Sequence, residues 1–295
     1  MPTERKQFLP TMRAQFLGER MRKLREERGL TLKYIAEYVD VEFSTLARYE
    51  RAEWPFRRDH VSALLDVYGI YEESERDELV NLARNAWRLG QWELDGVKDS
   101  TTVGFNDRPV IDHWWLQSRA AELCVYATSL IPDLLRSRDY AEAVIRHMEG
   151  ERTPMLRIDN LLREHATRQL VLNDKPPIRY TAILEESVLS RPIGGPMVLQ
   201  AQLEQLARLV ALPHVTVLIL PSQSGPHQGM DGPFMVCRMQ RPNPPVALLD
   251  QLAGRAVVEA SVAERYDTAF DSLKGLALDP AQSTELITKT AEHLA

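Results

Sequence analysis

Apolar positions recur at helical spacing through roughly the first third of the chain. Over 12–28, Leu17, Met21 and Leu24 form an i, i+4, i+7 stripe, while Arg13, Arg20, Arg22, Lys23, Arg25 and Arg28 project elsewhere. Thr31 is a good N-cap for a helix over 32–39, and a tight break at Asp40 and Val41 leads into a second helix over 43–51. Ile35, Ala36, Val39, Val41, Leu46 and Tyr49 fall where two steeply crossing helices need buried contacts, with Ala36 small at the closest approach. This predicts a helix-turn-helix. A further helix over 59–68 buries Val61, Leu64, Leu65 and Tyr68 and ends at Gly69, and another over 74–87 carries Leu79, Leu82, Ala83 and Ala86 on one face. Residues 90–112 hold Gly, Asp, Ser and Thr without clear periodicity and read as a linker between a domain over 1–89 and one over 113–295.

Beyond the linker the pattern alternates between the two periods. Helices are predicted at 112–128, 139–149, 154–172, 185–191, 196–211, 262–273 and 280–293. Strands are predicted at 178–184, 215–220, 234–238, 246–250 and 255–259. Helices interleaved with short strands predict an α+β domain with a small, mostly antiparallel sheet, in a chain that is mainly α.

Two stretches carry a family resemblance. Gly29-Leu30-Thr31, Ile35-Ala36, Val41 and Arg48-Tyr49-Glu50 are spaced as in the phage-repressor-like (XRE) transcription regulators, which implies a five-helix DNA-binding domain. The resemblance implies that Glu50 braces a basic residue of the first helix. It also implies DNA contacts from Thr31, Lys33, Phe43, Ser44, Thr45 and Arg48, and from Arg57 and Arg58 in the loop before the fourth helix. Three positions depart from the family: Leu32 stands where a Gln often reaches phosphate, Asp40 where a Gly is common, and Glu42 where a Ser opens the recognition helix. Glu42 suits the helix dipole and can cap free N–H groups, but it sets a negative charge where DNA approaches.

The second stretch runs from Trp114-Trp115 through Pro132-Asp133-Leu134-Leu135, Tyr140-Ala141, Arg168-Gln169, residues 183–195, 202–209 and 215–221, and the Gly225 to Val236 loop and strand. It resembles the domain fused to XRE modules in WhiJ-type, antitoxin-like regulators of filamentous actinobacteria. That likeness implies a regulatory or partner-binding role beside a small acidic protein partner.

Charge sharpens the picture. The 295 residues carry a net charge of −6, yet residues 5–58 hold thirteen lysines and arginines against eight acidic residues. A basic module on an acidic body directs one end toward the duplex. No apolar run is long enough for a membrane span, and MPTERKQFLP has no signal-peptide stretch, so a cytoplasmic protein without membrane association is expected. Cys124 and Cys237 have no metal-ligand spacing and read as reduced core residues, with a redox pair as the lesser alternative.

The chain lacks a phosphate-binding Gly-Lys loop, a His-Glu-x-x-His run and a cysteine cluster, so no cofactor, no metal and no catalysis are expected. His227, with Asp231 nearby and Glu185-Glu186 elsewhere, is the best catalytic candidate, but no nucleophile stands at a recognisable spacing. Trp114, Trp115 and His227 are candidates for a ligand or partner pocket, with the Gly225 to Gly232 glycines permitting close backbone approach. The function expected is a dimeric, sequence-specific transcription regulator bound to double-stranded DNA, whose second domain receives a protein or small-molecule signal. The alternative is an antitoxin-like interaction module whose helix-turn-helix binds DNA weakly or not at all.

Overall fold

A computed structural model describes residues 11–85, 113–150, 152–240, 243–251 and 254–294. The predicted linker lies outside them. The chain forms two compact units, the described part of the first ending at Trp115 and the second beginning at Leu116.

The first unit is helical: α1 (Met12–Glu27), α2 (Leu32–Tyr38), α3 (Phe43–Glu50), α4 (Arg58–Val67) and α5 (Glu73–Asn85). Helix starts follow side-chain capping, with the Thr11 and Thr31 hydroxyls accepting from the Ala14 and Tyr34 N–H groups at 3.1 and 3.2 Å. Asp40 takes the left-handed backbone of the turn, φ 52°, a conformation that Asp tolerates. Leu17, Met21 and Leu24 are buried as the stripe predicts. Arg13 and Arg25, which the same pattern places outside, are buried as well. Helix α1 crosses close over the end of α3: a Cβ on Gly18 would lie 2.7 Å from the Glu50 carbonyl oxygen and 2.9 Å from that of Tyr49. Only glycine admits that approach.

The helix α6 (His113–Arg119) precedes the sheet of the second unit in the chain. That unit contains β1 (Ala120–Ala127), α7 (Arg138–Glu149), α8 (Met155–Gln169), β2 (Arg179–Glu185), α9 (Pro196–Leu209), β3 (Val215–Leu220), β4 (Phe234–Met239), β5 (Val246–Gln251), β6 (Gly254–Glu259), α10 (Ala260–Leu276) and α11 (Pro280–His293). The strands form one sheet in the order β3-β2-β1-β4-β5-β6. The pairings of β1 with β2 and of β2 with β3 are parallel, and the other three are antiparallel. The chain is thus mainly α with a six-stranded sheet in an α+β second unit.

Two predicted helices fall differently. The helix expected over 112–128 stops at Arg119, and its second half is the central strand β1. Alanine, glutamate and leucine favour a helix, but a strand flanked on both edges and buried on both faces reads as a continuous apolar run rather than an alternation. The helix expected over 185–191 is a single 3-10 stretch, Glu186–Ser190. One face of the sheet, with Cys124, Tyr126, Ile183, Leu218 and Val236, packs in a core with Ala263, Ala269, Phe270 and Leu273 of α10. The opposite face, with Leu123, Tyr180, Ala182, Val217 and Ile219, is buried too. In the register Leu123 lies opposite Cys237 and Cys124 opposite Val236, so the two free thiols point to opposite faces of neighbouring strands. A redox pair between them is excluded by that alternation.

Candidate nucleic-acid interface

Helices α2 and α3 meet through Ile35, Ala36 and Leu46, all buried, with Val39 and Val41 half-buried at the turn. Ala47, between Leu46 and Arg48 on α3, is turned into the core at 8% exposure. The outer face therefore carries Phe43, Ser44 and Arg48, with Thr45 half-buried and Thr31 and Lys33 exposed at the start of α2. Phe43 is 56% exposed. Glu42 occupies the N-cap position of α3 without a side-chain capping bond, so it does not cap the helix as its chemistry allows. With Lys33, Glu37, Asp40 and Phe43, it lines an open concavity at the turn.

The position of α3 is held from behind. Arg25 donates from Nε to Glu50 Oε1 at 2.6 Å and from Nη2 to Oε2 at 2.8 Å, while its Nη1 reaches the Leu30 carbonyl at 2.9 Å. One fork thus ties α1 to the end of α3 and to the loop before α2, and both side chains are buried. This is the brace that the family resemblance assigns to Glu50. Several of the helix-1 cations that project from the apolar stripe are held in ion pairs: Arg25 here, Arg20 to Glu75 at 2.6 Å and Arg22 to Glu26 at 2.8 Å.

Around the reading face, the Arg48 guanidinium lies over the Trp54 ring, 4.7 Å from its centroid. The Arg48 carbonyl also accepts from the Glu53 and Trp54 N–H groups, which fixes the Trp54 backbone beneath it. Trp54 is not among the sequence candidates; its signal is an aromatic residue in the basic loop six residues beyond Arg48, just past the end of α3. Arg57 forms an exposed two-point pair with Asp59, at 3.1 and 2.6 Å, and Arg58 begins α4, exposed. An exposed pair of this kind is weak, and a phosphate can displace the carboxylate.

The second set of candidates separates. The Trp114 side chain lies outside the described residues. Trp115 belongs to the first unit, edge-on to Phe16 at 5.4 Å with its Nε1 donating to Glu19 at 2.9 Å. In the second unit His227 Nε2 is 3.4 Å from Glu185 Oε1, and the same oxygen accepts from the Tyr126 hydroxyl. The Gly229 N–H donates to His227 Nδ1 at 3.2 Å, which assigns the remaining ring proton to the nitrogen facing Glu185. Sequence spacing does not pair His227 with Tyr126, since the grouping joins the ends of β1 and β2 to a distant loop. Burial and the Glu185 bond raise the Tyr126 phenol above its ordinary value. The close approach expected of the loop glycines is internal: a Cβ on Gly229 would sit 2.5 Å from the Tyr126 ring. Asp231 is exposed.

A braced helix-turn-helix with an exposed recognition face, followed in the same chain by an α+β unit, defines a two-part protein of the helix-turn-helix class. Residues 17–79 match a family model described as Helix-turn-helix domain. Residues 110–289, more than half of the chain, match the model described as Domain of unknown function (DUF5753), and the chain belongs to that family. No curated protein and no solved structure matches it. Among the described residues no helix is long and apolar enough to cross a membrane.

Proposed function

We propose that the protein is a cytoplasmic transcription regulator of the XRE type that reads a short operator as a homodimer, and that its second unit receives a protein or small-molecule signal. The observation that carries this reading is the division of α3. Its inner face is pinned through Leu46, Tyr49 and the Arg25 to Glu50 fork, while Phe43, Ser44 and Arg48 are presented outward beside the exposed Lys33 and Arg58. Phe43 suits a thymine methyl, Ser44 a base edge or phosphate, and Arg48 guanine or phosphate. A dimer would set two such helices about 34 Å apart along one face of the duplex. The likeness of the second unit to WhiJ-type domains supports an input role with a small acidic partner. This reading assigns no catalytic step to the chain. Engagement of both His227 ring nitrogens supports that assignment.

The test is binding of the purified protein to its own upstream region and to scrambled DNA of equal length, at two salt concentrations. Preference for the upstream region, lost about tenfold or more in Arg48→Ala with an unchanged melting temperature, is the expected result. Equal affinity for both DNAs would instead favour the antitoxin-like interaction module. One observation favours that second reading: Glu37, Asp40 and Glu42 surround the exposed Phe43 at the turn, where phosphates would approach.

A further inference from the structure

Arg20, Arg22, Arg25, Arg51 and Arg57 are each held by a carboxylate, which occupies their N–H donors. Arg48 is held differently. Its guanidinium lies over the Trp54 ring, 4.7 Å from the centroid. Among the described residues no carboxylate forms an ion pair with it, and Glu50 and Glu53, which follow it in the sequence, are committed to Arg25 and Arg51. An aromatic face attracts a cation without accepting its N–H groups, so the ring restrains Arg48 and leaves its donors open.

The loop that returns Trp54 to Arg48 is fixed on both sides of the indole. Before it, the buried Ala52 takes a left-handed backbone, φ 54°, a conformation that residues with a Cβ avoid. The Glu53 and Trp54 N–H groups donate to the Arg48 carbonyl at 2.9 and 3.4 Å. After it, Pro55 and Phe56 are buried, with the Phe56 ring 5.1 Å from that of Tyr49. Between these anchors the indole stays 44% exposed. A ring so held outside the core contributes through Arg48, which shares the outer face of α3 with Ser44 one helical turn earlier.

We propose that Trp54 is the positioning residue of the recognition face, holding the Arg48 guanidinium so that its open N–H edge reads O6 and N7 of a guanine in the operator. A phosphate takes a flexible cation from many directions, whereas the two guanine acceptors require both donors in one plane and one direction. Restraint of the free side chain therefore serves a base contact above all. This role rests on the regulator reading and narrows it from DNA binding in general to one base and the residue that orients its reader.

The experiment measures the affinity of the full-length protein for its own upstream region and for scrambled DNA of equal length, in the wild type, Trp54→Ala, Trp54→Phe, Arg48→Ala and the double alanine variant. Trp54→Ala should lower the preference for the upstream region about tenfold, and Trp54→Phe, which keeps an aromatic face, only about twofold. In the Arg48→Ala background, where no guanidinium remains to be held, Trp54→Ala should have no further effect. Upstream DNA made with 7-deazaguanine, which lacks only the N7 acceptor, should bind the wild type about tenfold more weakly. Full loss in Trp54→Phe, a further loss in the Arg48→Ala background, or undiminished binding of the 7-deazaguanine DNA would each overturn the assignment while the regulator reading stands. Absence of any preference in the wild type would overturn both together.

Discussion

The fork between Arg25 and Glu50 shows what one residue does for the interface. Its two side chains are 8% and 4% exposed, so neither charge is solvated if its partner is removed. Glu50→Ala leaves a buried guanidinium facing carbon. The expected loss is about 3 kcal/mol, the low end for a broken buried pair because this one lies near the edge of a small unit. Urea denaturation of the full chain, followed by a probe in the first unit, measures it. Arg48 is the opposite case: exposed and steered by the Trp54 ring, it acts on binding rather than on stability.

At the scale of elements, the crossing of α1 over α3 depends on Gly18. Alanine is favoured over glycine in a helix interior by about 1 kcal/mol, so propensity alone predicts that Gly18→Ala stabilises. The approach decides otherwise, because the new methyl would meet two carbonyl oxygens inside 3.0 Å, and backbone cannot yield as a side chain can. Net destabilisation of about 1–2 kcal/mol is expected, read as a lowered denaturation midpoint. Helix α8 supplies a pH dependence. His165 is buried against the Asp133 carbonyl, and burial lowers its pKa below the ordinary 6.5. The unfolded chain then binds the proton more readily, so this residue's contribution is intact above pH 6.5 and is lost as pH falls through the folded value. Melting temperature should decline from pH 7 to pH 5, with a shallower decline in His165→Gln; an identical slope would remove His165 from the cause.

For the whole molecule, the charge asymmetry overstates the cations free for DNA. Of the thirteen lysines and arginines in residues 5–58, Arg20, Arg22 and Arg25 are held in ion pairs within the first unit. The candidate phosphate contacts named from the sequence are Lys33, Arg48, Arg57 and Arg58, all exposed, with Arg57 in a weak surface pair with Asp59 that a phosphate can displace. Four contacts correspond to a slope of log affinity against log salt of roughly −3.6 per module and about −7 for a dimer. Titrating operator binding against salt tests this, and a slope near −12 for the dimer would bring the rest of helix α1 into the interface.

Local signals made the helix-turn-helix legible: a Thr cap, a left-handed Asp, an apolar set at helical spacing and a basic surrounding, all within about twenty residues. The same locality set the strand β3 and the helix α11, whose boundaries follow from a β-branched run and an Asp-Pro start. Tertiary structure alone decided the rest. Strand β1 takes its form from its neighbours in the sheet, so its own helix-favouring residues mislead. Ala47 and Arg25 turned inward because packing and a distant Glu50 outweigh their position in a stripe. The grouping of His227 with Tyr126 and Glu185 joins segments far apart in the chain. Sequence periodicity records which face of an element is buried, since that is set within a few residues; which groups meet there is a matter of long-range packing, and only the folded chain brings them together.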